Sequence, residues 1–303
     1  MLKADGSLEA ELLPGGPHRR MVDEGRYPAC MVGELALDDR NAAFWDELCG
    51  SNLARELGIN DASEASLARF DDAYFALYPY LLGYFPRSTV EGSRLLEIGL
   101  GYGTLGEALA RLGANYHGVD LAAAPVAMMR ARLARVPGAR PEQITHGSVL
   151  ELPFDDASFD HVVSIGCLHH TGDLFGAVAE CRRVLRPGGR LVVMVYNRRS
   201  ARRALLGPLL TARHRFVPGA PSAEEKLRYL YDGHLDDGDA PPHTDFVSMA
   251  EMRGLLSGFR DVRIERRGID RVPLGPTEVS RLRLMRLGLD RLVGLDLYAV
   301  GYR

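Results

Sequence analysis

The sequence has few cysteines and no long apolar run. Its four cysteines, Cys30, Cys49, Cys167 and Cys181, are scattered without a CxxC pair. This spacing excludes a zinc-ligand pattern and predicts reduced thiols in the cytoplasm. Residues 1–21 contain neither the apolar segment of a signal peptide nor a stretch that could cross a bilayer, so we expect neither export nor membrane insertion.

A strong excess of charge of either sign is also missing. The formal net charge is -3 and the isoelectric point of the sequence is about 6.3, which gives no electrostatic reason to bind a polyanion. Neither nucleic acid nor an acidic membrane is therefore an expected partner. The sequence is rich in apolar residues, which make up 46% of its 303 residues. This apolar content is enough for one large α/β core with an added lid.

The order of the segments predicts a lid, a core, a second lid and a completing segment. Residues 1–89 are expected to form an N-terminal arm, loose through residue 40, followed by the helices of a lid. Residues 90–197 are the predicted core, 198–246 a lid insertion and 247–303 the part that completes the sheet around a helical insert.

Strands and helices are predicted to alternate after Pro86, which indicates a parallel sheet with helices on both faces. The predicted strands are residues 94–98, 116–119, 143–146, 159–165, 190–196, 261–266 and 295–302. The predicted helices are residues 104–112, 124–135, 174–185 and 248–256, with a helical insertion at 277–292. Residues 229–246 are polar and are predicted to form a loop.

The most informative segment is a glycine-rich turn after the first predicted strand. Residues 95–106 read Leu-Leu-Glu-Ile-Gly-Leu-Gly-Tyr-Gly-Thr-Leu-Gly, so backbone N–H groups are exposed where a ligand can approach without a Cβ in the way. The same glycines also satisfy the dinucleotide GxGxxG pattern. Glu97 favours the other interpretation, because a carboxylate would repel a pyrophosphate and attract a ligand with cationic sulfonium and ammonium groups.

An acidic residue ends the second predicted strand. Asp120 lies seventeen residues after Gly103 and could accept both hydroxyls of a ribose. It indicates a nucleoside and does not distinguish a nicotinamide cofactor from another adenosine derivative.

Further motifs add a resemblance to a known family. Together with the glycine turn and Asp120, residues 147–154, the Leu-His-His segment at 168–170 and the Arg-Pro-Gly-Gly turn at 186–189 appear in the order typical of class I S-adenosylmethionine (SAM)-dependent methyltransferases. Over residues 94–197 the chain resembles this family, and within it the enzymes related to ubiquinone and menaquinone methyltransferases.

The resemblance implies a Rossmann-like α/β fold with a mostly parallel seven-stranded sheet of order 3-2-1-4-5-7-6. SAM would lie across the carboxyl ends of the first two strands. The residues implied to contact it are Glu97, Gly99, Gly101, Tyr102, Gly103, Asp120, Leu121, Ser148, Val149 and Ile165. Family members often carry Asp where Ser148 stands, and a hydroxyl acceptor there would weaken adenine binding by about 1 kcal/mol.

The resemblance implies methyl transfer from SAM to a small-molecule acceptor at O, N, S or an activated carbon. His169 and His170 follow the fourth predicted strand, where the methyl group would lie, and either imidazole could act as a general base at neutral pH. We assign the base to His169 first and give His170 the alternative of shaping the loop. Trp45 is predicted to be a lid residue. Most of the tyrosines between residues 74 and 84 are predicted to face the core from an amphipathic helix.

Several alternatives stay open. The same motifs would serve an enzyme that transfers another part of SAM, whereas Glu97 and the turn at 186–189 argue against a nicotinamide-dependent oxidoreductase. No metal is expected, and the Asp- and His-rich segment is interpreted as a solvated loop: His234, Asp236, Asp237, Asp239, His243 and Asp245. The arginines of 198–216 are interpreted as an exposed helix face. The oligomeric state is left open between monomer and homodimer.

Overall fold

The computed structural model describes residues 29–47, 52–233, 240–274 and 277–303. Contacts divide the chain into two units, Met1–Leu35 and Ala36–Arg303. In the first unit, the described residues 29–35 are helical. The second unit contains the sheet, the helices packed on it and a large cavity lined by the loops that follow several strands.

The described ranges contain nine strands: β1 (Arg94–Ile98), β2 (Asn115–Asp120), β3 (Ile144–His146), β4 (Phe159–Ile165), β5 (Leu185–Tyr196), β6 (Arg260–Arg267), β7 (Val272–Leu274), β8 (Thr277–Val279) and β9 (Asp296–Tyr302). Seven of them form one sheet in the order β3-β2-β1-β4-β5-β9-β6. β9 is antiparallel to β5 and β6, and the other pairs are parallel. β7 and β8 form a separate hairpin. Counted within the main sheet alone, the order is 3-2-1-4-5-7-6, so the predicted topology is confirmed.

The helices within the described ranges are α1 (Ala29–Asp46), α2 (Asn52–Glu56), α3 (Glu64–Leu77), α4 (Arg87–Val90), α5 (Thr104–Arg111), α6 (Ala123–Leu133), α7 (Leu174–Val184), α8 (Ala201–Phe216), α9 (Ala223–Asp232), α10 (Met249–Leu255), α11 (Arg281–Arg286) and α12 (Leu289–Val293). Several begin at a side-chain cap. Ser248, for example, accepts from the backbone N–H of Glu251, whose carboxylate accepts from the Ser248 N–H in turn. None of the described helices has the length and apolar character needed to cross a bilayer.

Both faces of the sheet are buried. Successive residues of a strand point to opposite faces, so Leu96 and Val162 contribute to one core cluster whereas Leu95 and Val163 contribute to the other. The first cluster includes α7 and α10, and the second includes α5 and α6. This double burial explains why the central strands are apolar at nearly every position.

A fully buried arginine attaches the lid helix α3 to the core. Both Nη atoms of Arg132, on α6, donate to the carboxylate of Asp71 on α3 at 2.9 Å, and Nη1 also donates to Glu107 on α5 at 2.7 Å. A guanidinium removed from water is tolerated only when it is paired and hydrogen-bonded. The two carboxylates therefore fix α3 against α5 and α6.

Four segments differ from the predicted elements. Helix α1 begins at residue 29 although residues up to 40 were expected to be loose, since its apolar residues lack a helical period; residues 1–28 lie outside the described ranges. Strand β5 begins at Leu185, before the predicted start at residue 190. It runs through the Arg-Pro-Gly-Gly segment, whose Pro and Gly residues are not typical of strands. Helix α9 extends to residue 232, inside the predicted loop. The hairpin strand β8 occupies the start of the predicted helical insertion, where Thr277 and Val279 are β-branched.

We expect Arg132→Met to destabilise the protein by about 3 kcal/mol, because it leaves the carboxylate of Asp71 without its cation and Glu107 with only the half-exposed Arg111. Urea denaturation of the variant measures this loss. Arg111→Met is the matched control, since Arg111 also pairs with Glu107 but is half exposed, and its change should stay within about 0.5 kcal/mol. Equal losses in the two variants would contradict the role given to Arg132.

Candidate functional site

A cavity of about 820 Å³ lies at the carboxyl edge of the parallel strands. Its volume is in the upper part of the range of roughly 300–1,000 Å³ that small-molecule sites occupy. The loops after β1, β2, β3 and β4 line one side, and residues of α1, α3, α9 and the segment 269–281 line the other. This is the edge at which parallel α/β sheets bind ligands.

The glycine turn after β1 allows the backbone to enter the cavity wall. Gly99, Gly101 and Gly103 all have positive φ, at 80°, 50° and 77°. A Cβ placed on Gly99 would lie 2.4 Å from the Cβ of Cys167, in the loop that follows β4. A side chain at Gly99 is therefore excluded both by its backbone conformation and by the neighbouring loop.

Glu97 lies at the base of the cavity, almost fully buried, and accepts a hydrogen bond from the hydroxyl of Tyr116 at 2.5 Å. Burial raises the pKa of Glu97 to about 8, and the nearby charge of Asp120 acts in the same direction. The carboxyl is thus protonated at neutral pH without a ligand. A cationic ligand group beside it would favour the ionised form, so the acid is suited to bind an ammonium or sulfonium.

Asp120 connects the end of β2 to the glycine turn. One carboxylate oxygen accepts from the Leu100 N–H at 2.7 Å, and the other accepts from the Ala122 N–H at 2.9 Å. Burial raises the pKa of Asp120, although these hydrogen bonds oppose the shift. The carboxylate also lines the cavity, which suits it to accept hydrogen bonds from hydroxyl groups of a ligand.

The structure brings all ten predicted cofactor-contacting residues to this one cavity. Tyr102 stacks on Phe70 of α3 with ring centroids 4.2 Å apart. The hydroxyl of Ser148 accepts from the Leu150 N–H at 3.3 Å, so part of its hydrogen-bonding capacity is used by the backbone turn that it caps. Ser148 lines the cavity at the position where members of the resembled family often carry Asp.

The two candidate histidines have different surroundings. His170 lines the cavity, whereas His169 does not and is fully buried, with its ring 4.2 Å from those of both His170 and Tyr196. Burial lowers the pKa of His169 well below its ordinary value. The geometry thus favours His170 over His169 for contact with an acceptor, the reverse of the order predicted from sequence.

His170 is held in a defined orientation. Its Nδ1 lies 2.8 Å from the carbonyl oxygen of His243. A carbonyl only accepts, so Nδ1 carries the proton and Nε2 keeps a lone pair in the neutral ring. Burial lowers the pKa of His170 to about 4, which keeps the imidazole neutral at physiological pH.

Asp232, at the end of α9, completes this wall of the cavity. Its Oδ2 is 3.7 Å from Nε2 of His170, and its Oδ1 accepts from the Tyr196 hydroxyl at 2.5 Å. Within the described ranges neither Asp232 Oδ2 nor His170 Nε2 has a hydrogen-bond partner, and the same is true of Oδ1 of Asn41, which also lines the cavity. All three are acceptor atoms, so the missing partner is a hydrogen-bond donor.

Sequence reasoning missed Asp232 and Asn41. Asp232 is separated from His170 by 62 positions, and no local spacing relates α1 or α9 to the loop after β4. Trp45 was predicted as a lid residue and does line the cavity, with its ring 4.6 Å from that of His170. Tyr74 and Tyr78 line it as well.

The other polar candidates that the structure describes form neither a metal site nor a nucleophile site. Among the described residues no group of His, Cys, Asp and Glu is arranged to hold a metal, and His243 and Asp245 form only a pair at 3.1 Å. Four members of the predicted solvated loop lie outside the described residues: His234, Asp236, Asp237 and Asp239. Burial raises the pKa of the Cys167 thiol to about 12, so this cavity residue stays protonated.

Comparisons with known proteins agree with the geometry. Residues 96–193 match the family described as a methyltransferase domain. A demethylmenaquinone methyltransferase of Tropheryma whipplei is 34% identical over 106 residues, which cover 35% of this chain and 43% of that protein. A ubiquinone biosynthesis O-methyltransferase of Xanthomonas oryzae is 36% identical over 132 residues, or 43% of this chain and 54% of that protein. The matches thus span about half of these relatives or less.

A solved structure shares the fold. A chain of the complex that contains the Haloferax volcanii Trm112 methyltransferase activator aligns with 80% of this chain and 95% of its own length, at a TM-score of 0.52 and 20% identity. At this identity the likeness concerns the fold, and it agrees with the observed sheet order.

We expect Glu97→Gln to change how stability depends on pH. The folded pKa of Glu97 lies above its ordinary value of 4.5, so its contribution to stability is present below about pH 4.5 and is lost as the pH rises through about 8. Relative to the glutamine variant, the wild type should lose up to ~1.4 kcal/mol per pH unit in this window.

Denaturation midpoints of the ligand-free proteins between these pH values measure the difference. Glu142→Gln, at an exposed position, is the control and should follow the wild type at every pH. Parallel curves for wild type and Glu97→Gln would contradict the buried, protonated state of Glu97.

Proposed function

We propose that this chain, whose residues 96–193 form a methyltransferase domain of the class I SAM-dependent family, transfers the methyl group of SAM to a small-molecule acceptor bound beside His170. The observation that carries the proposal is one cavity that holds both halves of such a site. The glycine turn, Glu97 and Asp120 line this cavity together with His170 and Asp232.

The residues of the first half fit the cofactor. The protonated, buried Glu97 gains from a cationic group placed beside it, and the two oxygens of Asp120 have lone pairs left for ribose hydroxyls. Gly99 and Gly101 bring the backbone close without a Cβ. When bound, SAM supplies a methyl carbon that its sulfonium makes electrophilic.

The residues of the second half fit an acceptor that carries a proton. An O–H or N–H group placed within hydrogen-bond distance of Nε2 of His170 would give that unpartnered acceptor atom its donor, beside the carboxylate of Asp232. His170 would take the proton on Nε2 as the acceptor atom attacks, and the carboxylate of Asp232 would stabilise the imidazolium that forms. Tyr196 holds Asp232 in place through its hydroxyl.

We infer a hydroxyl as the acceptor group. The matched Xanthomonas relative is named as an O-methyltransferase of ubiquinone biosynthesis, and the matched Tropheryma relative, a demethylmenaquinone methyltransferase, is also named for a quinone. A hydroxylated ring would also suit the aromatic side chains of Trp45, Tyr74 and Tyr78, which line the same cavity.

We expect SAM and its demethylated product to bind with micromolar affinity and NAD not to bind, because Glu97 can ionise beside a cationic group of SAM, whereas a pyrophosphate would gain no attraction from either acid. Asp120→Asn should weaken SAM binding by about 1.5–3 kcal/mol, since it removes the charge that accepts from ribose while keeping the size of the side chain. Calorimetry with each ligand measures both effects. Tight NAD binding, or unchanged SAM affinity in a folded Asp120→Asn protein, would refute the cofactor assignment.

We expect His170→Ala to lower turnover by about a hundredfold or more with little change in SAM affinity, as removal of a general base does. His169→Ala should instead lower stability by about 2–3 kcal/mol, because it leaves a space in a closed part of the core, and should keep most of the turnover. The measurement is product mass against time with a panel of hydroxylated ring compounds. A larger loss of turnover in His169→Ala than in His170→Ala would restore His169 as the base.

A further inference from the structure

Helix α8 exposes a stripe of large apolar side chains. Leu205, Leu209 and Phe216 are 70%, 67% and 75% exposed, and no residue of the helix is buried. Steps of four and seven residues place these three side chains on one face. Single exposed apolar residues are ordinary on protein surfaces, but a helical stripe of them indicates a contact surface.

The charge of α8 has one sign. The helix contains no Asp or Glu. Arg202 and Arg203 pair with Asp270 and Glu224, in the segments beside the helix. Within the described part of the chain, Arg213 and Arg215 at the far end of α8 have no ion-pair partner, so cationic groups lie beside the apolar stripe.

The segment formed by α11 and α12 has the same composition. Its exposed apolar side chains are Leu282, Leu287, Leu292 and Val293. Its exposed basic side chains are Arg283, Arg286 and Arg291. The only acid in the segment, Asp290, is 2% exposed and faces Arg267. Two separate segments therefore expose leucine and arginine and no acid, in a chain whose net charge is -3.

Both segments adjoin the candidate site. Arg202 of α8 lines the cavity, and so do Ser280 and Arg281 at the start of α11. The exposed stripe of α8 begins three residues after Arg202. A surface that contacts both segments would consequently lie close to the cavity.

We propose that α8 together with α11 and α12 docks this protein onto an anionic lipid surface. Exposed leucine and phenylalanine side chains would enter the headgroup region while the neighbouring arginines pair with lipid phosphates, as in amphipathic helices that lie in a membrane interface. The absence of exposed acid in both segments favours a negatively charged partner over a second copy of this acidic chain. The expectation of no membrane partner came from the net charge of the whole chain, and a net charge does not show where basic residues are concentrated locally.

Vesicle sedimentation tests the proposal with the full chain. Vesicles of phosphatidylcholine and phosphatidylglycerol in equal parts, and of phosphatidylcholine alone, are mixed with the protein at about 0.1 M salt. We expect binding to the anionic vesicles and at least about tenfold weaker binding to the neutral ones, because each arginine near the surface adds to the attraction. High salt should release the protein.

Two variants and a control locate the surface. Leu205→Glu combined with Leu209→Glu should weaken vesicle binding by at least about tenfold, and Arg213→Glu combined with Arg215→Glu should do the same. Phe175→Glu on α7 removes a side chain that is 69% exposed but lies outside both segments, and should bind like the wild type. None of these residues lines the cavity, so SAM binding should be unchanged in all of them.

Three outcomes would overturn the proposal. The first is a wild type that does not sediment with anionic vesicles, and the second is a Phe175→Glu protein that loses as much binding as the α8 variants. The third is a wild-type dimer that Leu205→Glu with Leu209→Glu dissociates while vesicle binding is absent, which would make the stripe a contact between copies. Vesicle binding does not require methyl transfer, so its failure leaves the proposed activity standing.

Discussion

The close approach of the loops after β1 and β4 is the constraint on which the site depends. In the observed order β1 lies between β2 and β4. The chain segments that follow β1 and β4 therefore run to opposite faces of the sheet, and a crevice opens between the ends of these two strands. At its base Gly99 and Cys167 come so near that a Cβ on Gly99 would overlap the cysteine side chain. The glycine turn can therefore expose its backbone to a ligand only because no side chain separates these two loops.

The rest of the cavity is built by elements distant in sequence and fixed by a few polar contacts. Arg132 fixes α3 through two hydrogen bonds to the carboxylate of Asp71. The same helix carries Phe70, which stacks on Tyr102. Asn41 of α1 donates to the carbonyl of His170 at 2.8 Å and so ties the lid to the loop after β4. Buried polar groups of this kind cost stability when they lack partners, and those without a partner among the described residues, at His170 and Asp232, are where we propose that a donor binds.

Local patterns in the sequence were sufficient for the cofactor half of the site. The run from Leu95 to Gly106 combines an apolar strand, positive-φ glycines and a helix start, and Asp120 ends the next strand at the same edge. In a parallel sheet the carboxyl ends of neighbouring strands meet at one edge, so residues that follow these strands must converge. All ten residues that the resemblance implies accordingly line one cavity, and the strand order that the resemblance implies is the observed one.

The acceptor half depended on tertiary structure. The sequence alone determined that strands and helices alternate in a parallel sheet with a glycine turn, Glu97 and Asp120 at one edge, because those features rest on periodicity and on backbone conformations that only certain residues adopt. The Rossmann-like topology was implied by the resemblance to a known family. The sequence could not show which of His169 and His170 reaches the cavity, because the packing of the surrounding loops decides the exposure of two adjacent residues. It could not relate Asp232 to either histidine, because that contact depends on how α9 folds back over the sheet edge, and packing between distant segments leaves no local spacing in a sequence.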